Sequence, residues 1–340
     1  MKLLSDIDVS GKRVFLRADL DVRILDVGDR ISETTRLLNL KPTIEYLLAS
    51  GAGQIFIAGH VGRPKGTDPA LSTVLLEAPL EAILKRSVTF KRDLDFGDGT
   101  LASMAQIILL ENLRFRPGEK ANDADFTKQL AGLADVYVND AFAASHRAHA
   151  SIVGVPAILP HAAGLHLQKE VESLTKLLES AQRPFVAVVG GAKTETKVPV
   201  VENLAKIADQ VLAGGAIAKE FPISNFKFPI SNVVIAKLAP NTKDIDQEST
   251  DKFIEIIKGA KTVVWNGPMG VFEEGFDAGT MAVAQAIAAS EAYSVVGGGE
   301  TTEFLASWGM IDKFSFVSSG GGAMLEFLAG KELPGIVALE

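Results

Sequence analysis

The sequence predicts an α/β fold of two doubly wound parallel-sheet domains joined by a long helix, and three observations carry that prediction. Short runs rich in β-branched and aromatic residues alternate with longer amphipathic stretches along the whole chain, which is the pattern of parallel strands connected by helices on both sheet faces. With 340 residues and 47% hydrophobic content, the chain outgrows one core and has apolar side chain enough for two. A helical stretch, HAAGLHLQKEVESLTKLLES at 161 to 180, reads as one long helix leaving the first domain near residue 165 and entering the second.

In chain order, RVFLRA (13 to 18), QIFIA (54 to 58), SVTFK (87 to 91), QIILLE (106 to 111) and DVYV (135 to 138) read as strands of the first half. Between the first two, KPTIEYLLASG has an early Pro, apolar Ile44, Leu47 and Leu48, and Gly51 where a helix would stop. The second half continues with PFVAVV (184 to 189), QVLA (210 to 213), NVVIA (232 to 236), KTVVW (261 to 265), YSVV (293 to 296) and FSFV (314 to 317). The quintet FPISN occurs twice within 221 to 232, too short a unit for a repeat architecture, and reads as a loop or an abbreviated connection.

Composition narrows the function classes. The formal net charge of -8 argues against broad nucleic-acid or membrane-surface binding, which requires a surplus of Lys and Arg. There is no cysteine, hence no disulfide or thiolate metal site. The start of the chain lacks the pattern of a secretory signal, and no apolar run is long enough to span a bilayer, so a cytoplasmic protein is expected.

In open α/β sheets ligands bind beyond the carboxyl ends of the strands, and there the two halves differ. The first half offers Asp19 and Asp21, Arg36, His60 and Arg63, Arg114 and Arg147. Any one of these arginines could be an ordinary surface ion pair. A set of them at strand ends instead points to a small, strongly anionic ligand, because the guanidinium fork matches carboxylate and phosphate. In the second half the same positions carry glycines: GGAK (190 to 193), GGA (214 to 216), NGPMG (266 to 270), GGGET (297 to 301) and SSGGG (318 to 322). Glycine lets backbone approach a ligand, and amides at a helix start attract anions, so a nucleotide site is expected. A helix starting at 194 would put Lys193 and Lys197 about one turn apart, toward phosphates held by the amides of Gly190 to Lys193. The spacing is neither G-x-x-x-x-G-K-S/T nor G-x-G-x-x-G.

LLENLRF, ADVYVNDAF with HRAHAS, RPFVAVVGGAK, AKTVVWNGPMGVFE, GGGET and SSGGGAMLEFLAGKELPG together resemble the phosphoglycerate kinase family, in the family's order from residue 13 to about 335. The resemblance implies two lobes facing each other across a cleft: a substrate domain at 1 to 164, a nucleotide domain at 165 to 325, and a tail from about 326 to 340 packing back on the first lobe. It implies reversible phosphoryl transfer from 1,3-bisphosphoglycerate to MgADP, giving 3-phosphoglycerate and MgATP, by a monomer whose lobes close about a hinge. Carried over residue by residue, 3-phosphoglycerate falls on Asp19, Asp21, Arg36, His60, Arg63, Arg114 and Arg147. The nucleotide falls on Gly190, Gly191, Ala192, Lys197, Gly214, Asn266, Glu273, Gly299, Glu300 and Thr301, with Glu300 toward Mg²⁺. The catalytic set implied is Arg36, Lys193, Lys197, Gly298 and Gly321. Both reacting groups are already anionic, so no general base is needed and charge neutralisation should carry the chemistry. His161 and His166 are read as structural or surface residues.

Three departures from the family pattern stand out. Glu300 replaces the Asp of its GGGD motif, Asp21 replaces an Asn, and the stretch after AGGAIAKEF is some tens of residues short. They motivate the alternative of a non-catalytic nucleotide-binding regulator built on the same fold. The retention of Lys193, Lys197, Arg36, Asn266 and Glu273 argues for the enzyme.

Overall fold

Val14, Phe15 and Leu16, three consecutive residues of one strand, have no exposed surface. Successive side chains of a strand point to opposite faces, so that strand is covered on both. The computed structural model describes residues 1–24, 34–94, 105–192, 194–220 and 231–340. Among them, the first unit contains β1 (Arg13–Arg17), β2 (Gln54–Ala58), β3 (Thr89–Lys91), β4 (Ile107–Leu110), β5 (Val136–Asn139) and β6 (His161–Ala163), all parallel, in the order β3-β4-β2-β1-β5-β6. The second contains β7 (Phe185–Val189), β8 (Gln210–Ala213), β9 (Val233–Ile235), β10 (Thr262–Asn266), β11 (Tyr293–Gly297) and β12 (Phe316–Ser318), also parallel, in the order β12-β11-β10-β7-β8-β9. Every strand expected from the sequence is present.

Each unit has its own core. The first gathers Val14, Leu16, Leu37, Ile44, Ile55 and Leu80 with their neighbours, and Phe15 stacks on Tyr137 with ring centroids 5.9 Å apart. The second is built around Trp265, which has no exposed surface; its indole N–H donates to the Gly267 carbonyl at 2.8 Å, so burial leaves no polar atom unpaired.

Two expected helix boundaries move. The helix around KPTIEYLLA spans Thr35–Ala49 with Pro42 inside it rather than at its start. Burial of Leu37, Leu40, Ile44 and Leu47 at helical spacing outweighs the hydrogen bond that Pro cannot donate. The linking helix begins only at Leu165. The HAA that precedes it forms β6, paired with Tyr137, Val138 and Asn139. Asp140 explains the switch: one carboxylate oxygen accepts from the amides of His166 and Leu167 at 2.9 and 3.1 Å, capping the new helix, and a Cβ on Gly164 would lie 2.3 Å from that oxygen. The chain divides into Met1–Glu170 with Leu333–Glu340, and Val171–Glu332, so the boundary falls inside the helix rather than ahead of it, and the returning segment starts at Leu333.

That segment is held to the first unit. The amide of Lys2 donates to the Leu339 carbonyl at 2.9 Å and that of Gly335 to the Ser145 carbonyl at 2.8 Å, while Leu333 and Leu339 are buried. Leu339→Ala is expected to destabilise the protein in urea melts by about 2 to 5 kcal/mol through lost burial and a residual cavity. Val337→Ala, at a position 43% exposed, should change stability by less than about 0.5 kcal/mol.

Candidate functional site

Because the strands of each sheet run parallel, the residues that follow them collect at one sheet edge. In the first unit, β1 runs into Asp19 and Asp21, β2 into His60, β4 into Arg114 and β5 into Arg147, while Arg36 opens the Thr35–Ala49 helix. Arg36 Nη1 is ion-paired with Asp19, which is 3% exposed. The Asp21 carboxylate accepts from the Gly62 amide at 2.7 Å and lies 3.5 Å from His60 Nε2. Burial alone would raise the Asp21 pKa, but His60, the Gly62 amide and the Arg36 charge outweigh it and bring it down to about 2. The Asp21 carboxylate is therefore paired with a His and an amide, and Arg36 is paired with Asp19 instead.

Arg114 is buried, donates from Nη1 to the Gly62 carbonyl at 2.7 Å, and its buried Nε has no hydrogen-bond partner among the described residues. Burial and then the charge of Arg147, partly offset by Asp21, lower its pKa to about 10. Arg147 is half-buried and Arg63 exposed.

Sequence reasoning missed what lies beneath this set. Arg17, the last residue of β1, has no exposed surface. It donates from Nε to Ser151 Oγ at 2.8 Å and from Nη2 to His60 Nδ1 at 3.1 Å. Ser151 in turn donates to the fully buried Glu119. The signal was available: an arginine inside RVFLRA, where a strand buried on both faces should carry none.

In the second unit the expected residues fall into two adjoining groups. A cavity of about 280 Å³ is lined by Gly191, Ala192, Glu273 and Glu300 together with Leu238, Pro268, Met269 and Val271 among others. The other group centres on buried Asn266, the last residue of β10. Lys197, on the Thr194–Leu204 helix and 7% exposed, donates from Nζ to the Asn266 side-chain oxygen and to its carbonyl at 3.3 Å. Gly298 lies against the Asn266 amide with φ +104, and a Cβ on Gly321 would lie 3.1 Å from the Gly298 Cα. Buried Thr301 accepts from the Gly267 amide at 2.8 Å, Gly299 is exposed, and Gly214 packs under Met269. Lys193 and most of the FPISN pair lie outside the described residues.

One expectation is corrected. The amides of Gly190 and Gly191 are committed to the carbonyls of Asn266 at 2.9 Å and Pro268 at 2.7 Å, so these two do not present free N–H groups to a phosphate. Their lack of a side chain serves close packing of two turns: a Cβ on Gly267, which has φ +100, would lie 2.1 Å from the Gly190 carbonyl oxygen. Among the described residues, the first-turn amides of the Gly299–Ser307 helix, which have no intrahelical partner, offer donors to an anion, and the Lys197 ammonium on Asn266 adds positive charge beside them. Among the described residues no group of three or more His, Cys, Asp or Glu could hold a metal ion. Glu300 alone on that helix start fits Mg²⁺ brought in on phosphates, since this ion keeps most of its waters and takes one or two carboxylates.

A family model described as Phosphoglycerate kinase matches residues 4–236 and 227–331. The phosphoglycerate kinase of Desulfosudis oleivorans is 40% identical over 393 residues, covering 100% of this chain and 99% of that protein. The chain belongs to the phosphoglycerate kinase family. The phosphoglycerate kinase of Moorella thermoacetica is 41% identical over 390 residues, with 99% and 98% covered. Both alignments run longer than the 340-residue chain, so these relatives carry residues it lacks. Among solved structures, phosphoglycerate kinase from Coxiella burnetii superposes with a TM-score of 0.85 at 34% identity, covering 100% of this chain and 99% of that one. The enzyme from Pyrococcus horikoshii OT3 gives 0.84 at 33%, covering 100% and 98%.

Three histidines of the first unit, His60, His149 and His166, bear on its acid stability. Burial lowers His60 to about 4, His149 to about 3 and His166 to about 4. A histidine lowered on folding binds its proton more readily in the unfolded chain, so its contribution is full above about 6.5 and is lost as pH falls through the folded value. Asp140, raised by burial to about 6, acts in the opposite sense over roughly the same window. With three groups against one, the urea midpoint is expected to fall between pH 6.5 and 4. His166→Gln should flatten that fall and Asp140→Asn should steepen it.

Proposed function

We propose that this chain catalyses reversible phosphoryl transfer from 1,3-bisphosphoglycerate to MgADP, giving 3-phosphoglycerate and MgATP. The observation that carries this reading is the set of guanidinium groups gathered at the strand ends of the first unit, two of them buried. Arg17 and Arg114 are buried, Arg147 lowers the Arg114 pKa, and the Arg114 Nε is left unpartnered. A buried guanidinium N–H without an acceptor, as at Arg114 Nε, is costly, and a three-carbon acid carrying a carboxylate and a phosphate supplies an acceptor.

On this reading Asp19, Asp21, Arg36, His60, Arg63, Arg114 and Arg147 form the acid site. The second unit is the nucleotide domain, with base and ribose in the cavity between Leu238, Met269 and Glu273 and the phosphates toward Lys197 and the Gly299–Ser307 helix start. Lys197 is held on Asn266, ready to neutralise phosphate charge without being reoriented, which is where phosphoryl transfer gains its rate. Gly298, having no side chain, packs close against Asn266, and Gly321 packs against Gly298. Bound Mg²⁺ would spread the nucleotide's negative charge, with Glu300 the carboxylate available to it. Ligands carried on separate units must be brought together for transfer, so closure about the Leu165–Ser180 helix is part of the proposal, and it excludes water from the acyl phosphate. The protein works as a monomer in the cytoplasm.

A coupled assay with 3-phosphoglycerate, ATP and Mg²⁺ tests this, and turnover is expected. ATP binding without turnover would favour the non-catalytic regulator. Lys197→Met should lower kcat by about 100-fold or more. Glu300→Asp, which draws the carboxylate back by one methylene, should shift the Mg²⁺ concentration giving half-maximal rate; an unchanged titration would remove Glu300 from the metal.

A further inference from the structure

His60 is the one titratable group of the acid site whose proton position follows from its neighbours. A guanidinium has five N–H donors and no acceptor, so the Arg17 Nη2 contact with His60 Nδ1 at 3.1 Å requires a lone pair on that nitrogen. The ring proton then sits on Nε2, which faces the Asp21 carboxylate at 3.5 Å, a group that can only accept. The two contacts point the same way.

Arg17 is itself fixed. Its Nη1 donates to the Ala18 carbonyl and its Nε to Ser151 Oγ. The Ser151 hydroxyl proton is directed to Glu119 Oε1 at 2.6 Å, and the Ser151 amide donates to Glu119 Oε2 at 3.1 Å. Ser151 Oγ must therefore accept from Arg17, and the guanidinium cannot turn without breaking a buried network. Arg17, Ser151 and Glu119 are all without exposed surface.

We propose that Arg17 is a positioning residue for the acid site: it holds His60 as the neutral tautomer protonated on Nε2, and that N–H is what lets this chain carry a carboxylate at position 21. A second proton on His60 would set an N–H of the ring against an N–H of Arg17. The charged groups facing His60 are Arg17 from β1, Asp21 from the loop after it and Arg114 from the loop after β4, with His149 also within electrostatic reach. Burial and the two arginine charges, against the pull of Asp21, keep the ring neutral down to about 4. Asp21 in turn receives donors on both oxygens, from the Gly62 amide and from His60.

The test is long-range ¹H–¹⁵N correlation on the full chain labelled in its 5 histidines, without substrate, with the His60 signals assigned by their loss in His60→Gln. The expected result is an unprotonated Nδ1 and a protonated Nε2, unchanged from about pH 8 to pH 5. Asp21→Asn should keep the same tautomer, because Arg17 rather than Asp21 dictates it. Arg17→Met should give mixed tautomers and a ring that protonates within that range. A protonated Nδ1 in the unaltered chain, a cationic ring at pH 6, or a proton that moves to Nδ1 in Asp21→Asn overturns the proposal. If Arg17→Met does not fold, the unaltered chain and Asp21→Asn still decide. The link to substrate rests on the function proposed above and is read separately: Arg17→Met should raise the KM for 3-phosphoglycerate about tenfold while kcat changes less than about twofold. Absence of turnover in the unaltered chain would sink the function and leave the tautomer result standing.

Discussion

A parallel sheet covered on both faces gives polar side chains one route out of the core, past the ends of its strands, and both units of this protein are organised by that constraint. Val14, Phe15 and Leu16 in β1, and Val263, Val264 and Trp265 in β10, are buried in sequence. The residues that follow stay buried through Arg17 to Leu20 in one case and Asn266 to Met269 in the other, and the chain first regains surface at Asp21 and at Gly270. The two units use this position in contrasting ways. The first fills it with guanidinium groups held by buried acceptors, and the second empties it of side chains so that backbone turns can meet.

These are two physical answers to binding an anion. In the first unit the proposed acid site consists of fixed cations, whose mutual repulsion is offset by Asp19, Asp21 and Glu119. In the second unit the proposed phosphate site combines a helix start with the Lys197 ammonium, steadied by Asn266. The glycines of the second unit act mainly through steric absence. The Gly190–Gly267 approach would be blocked by a Cβ. Asp140 plays a comparable organising part in the first unit, where its burial against the helix start at Leu165 ties the connection between the units to the same strand, β5, that leads to Arg147.

Asp21 shows how a half-buried carboxylate is accommodated. An amide can donate or accept, whereas a carboxylate only accepts, so a chain with Asp at this position must surround it with donors. The Gly62 amide and His60 Nε2 do so. The direction of that second contact depends on Arg17, which has no exposed surface and is tied to Ser151 and Glu119 on segments far away in sequence.

The sequence by itself determined the strands, the parallel two-domain architecture and the type of residue at each strand end, because these depend on local periodicity and on which side chains can be buried. Basic residues after the strands of the first half and glycines after those of the second were legible for the same reason. Only the tertiary structure decided which groups pair. That HAA forms a strand rather than the first turn of the linking helix was decided by Asp140 and β5. That Gly190 and Gly191 spend their amides on the turn after β10, and that Arg17 and Glu119 are buried beneath the acid site, follows from contacts between segments tens to more than a hundred residues apart. Hydrogen-bond direction is set by the partner across space, and local sequence carries no record of that partner.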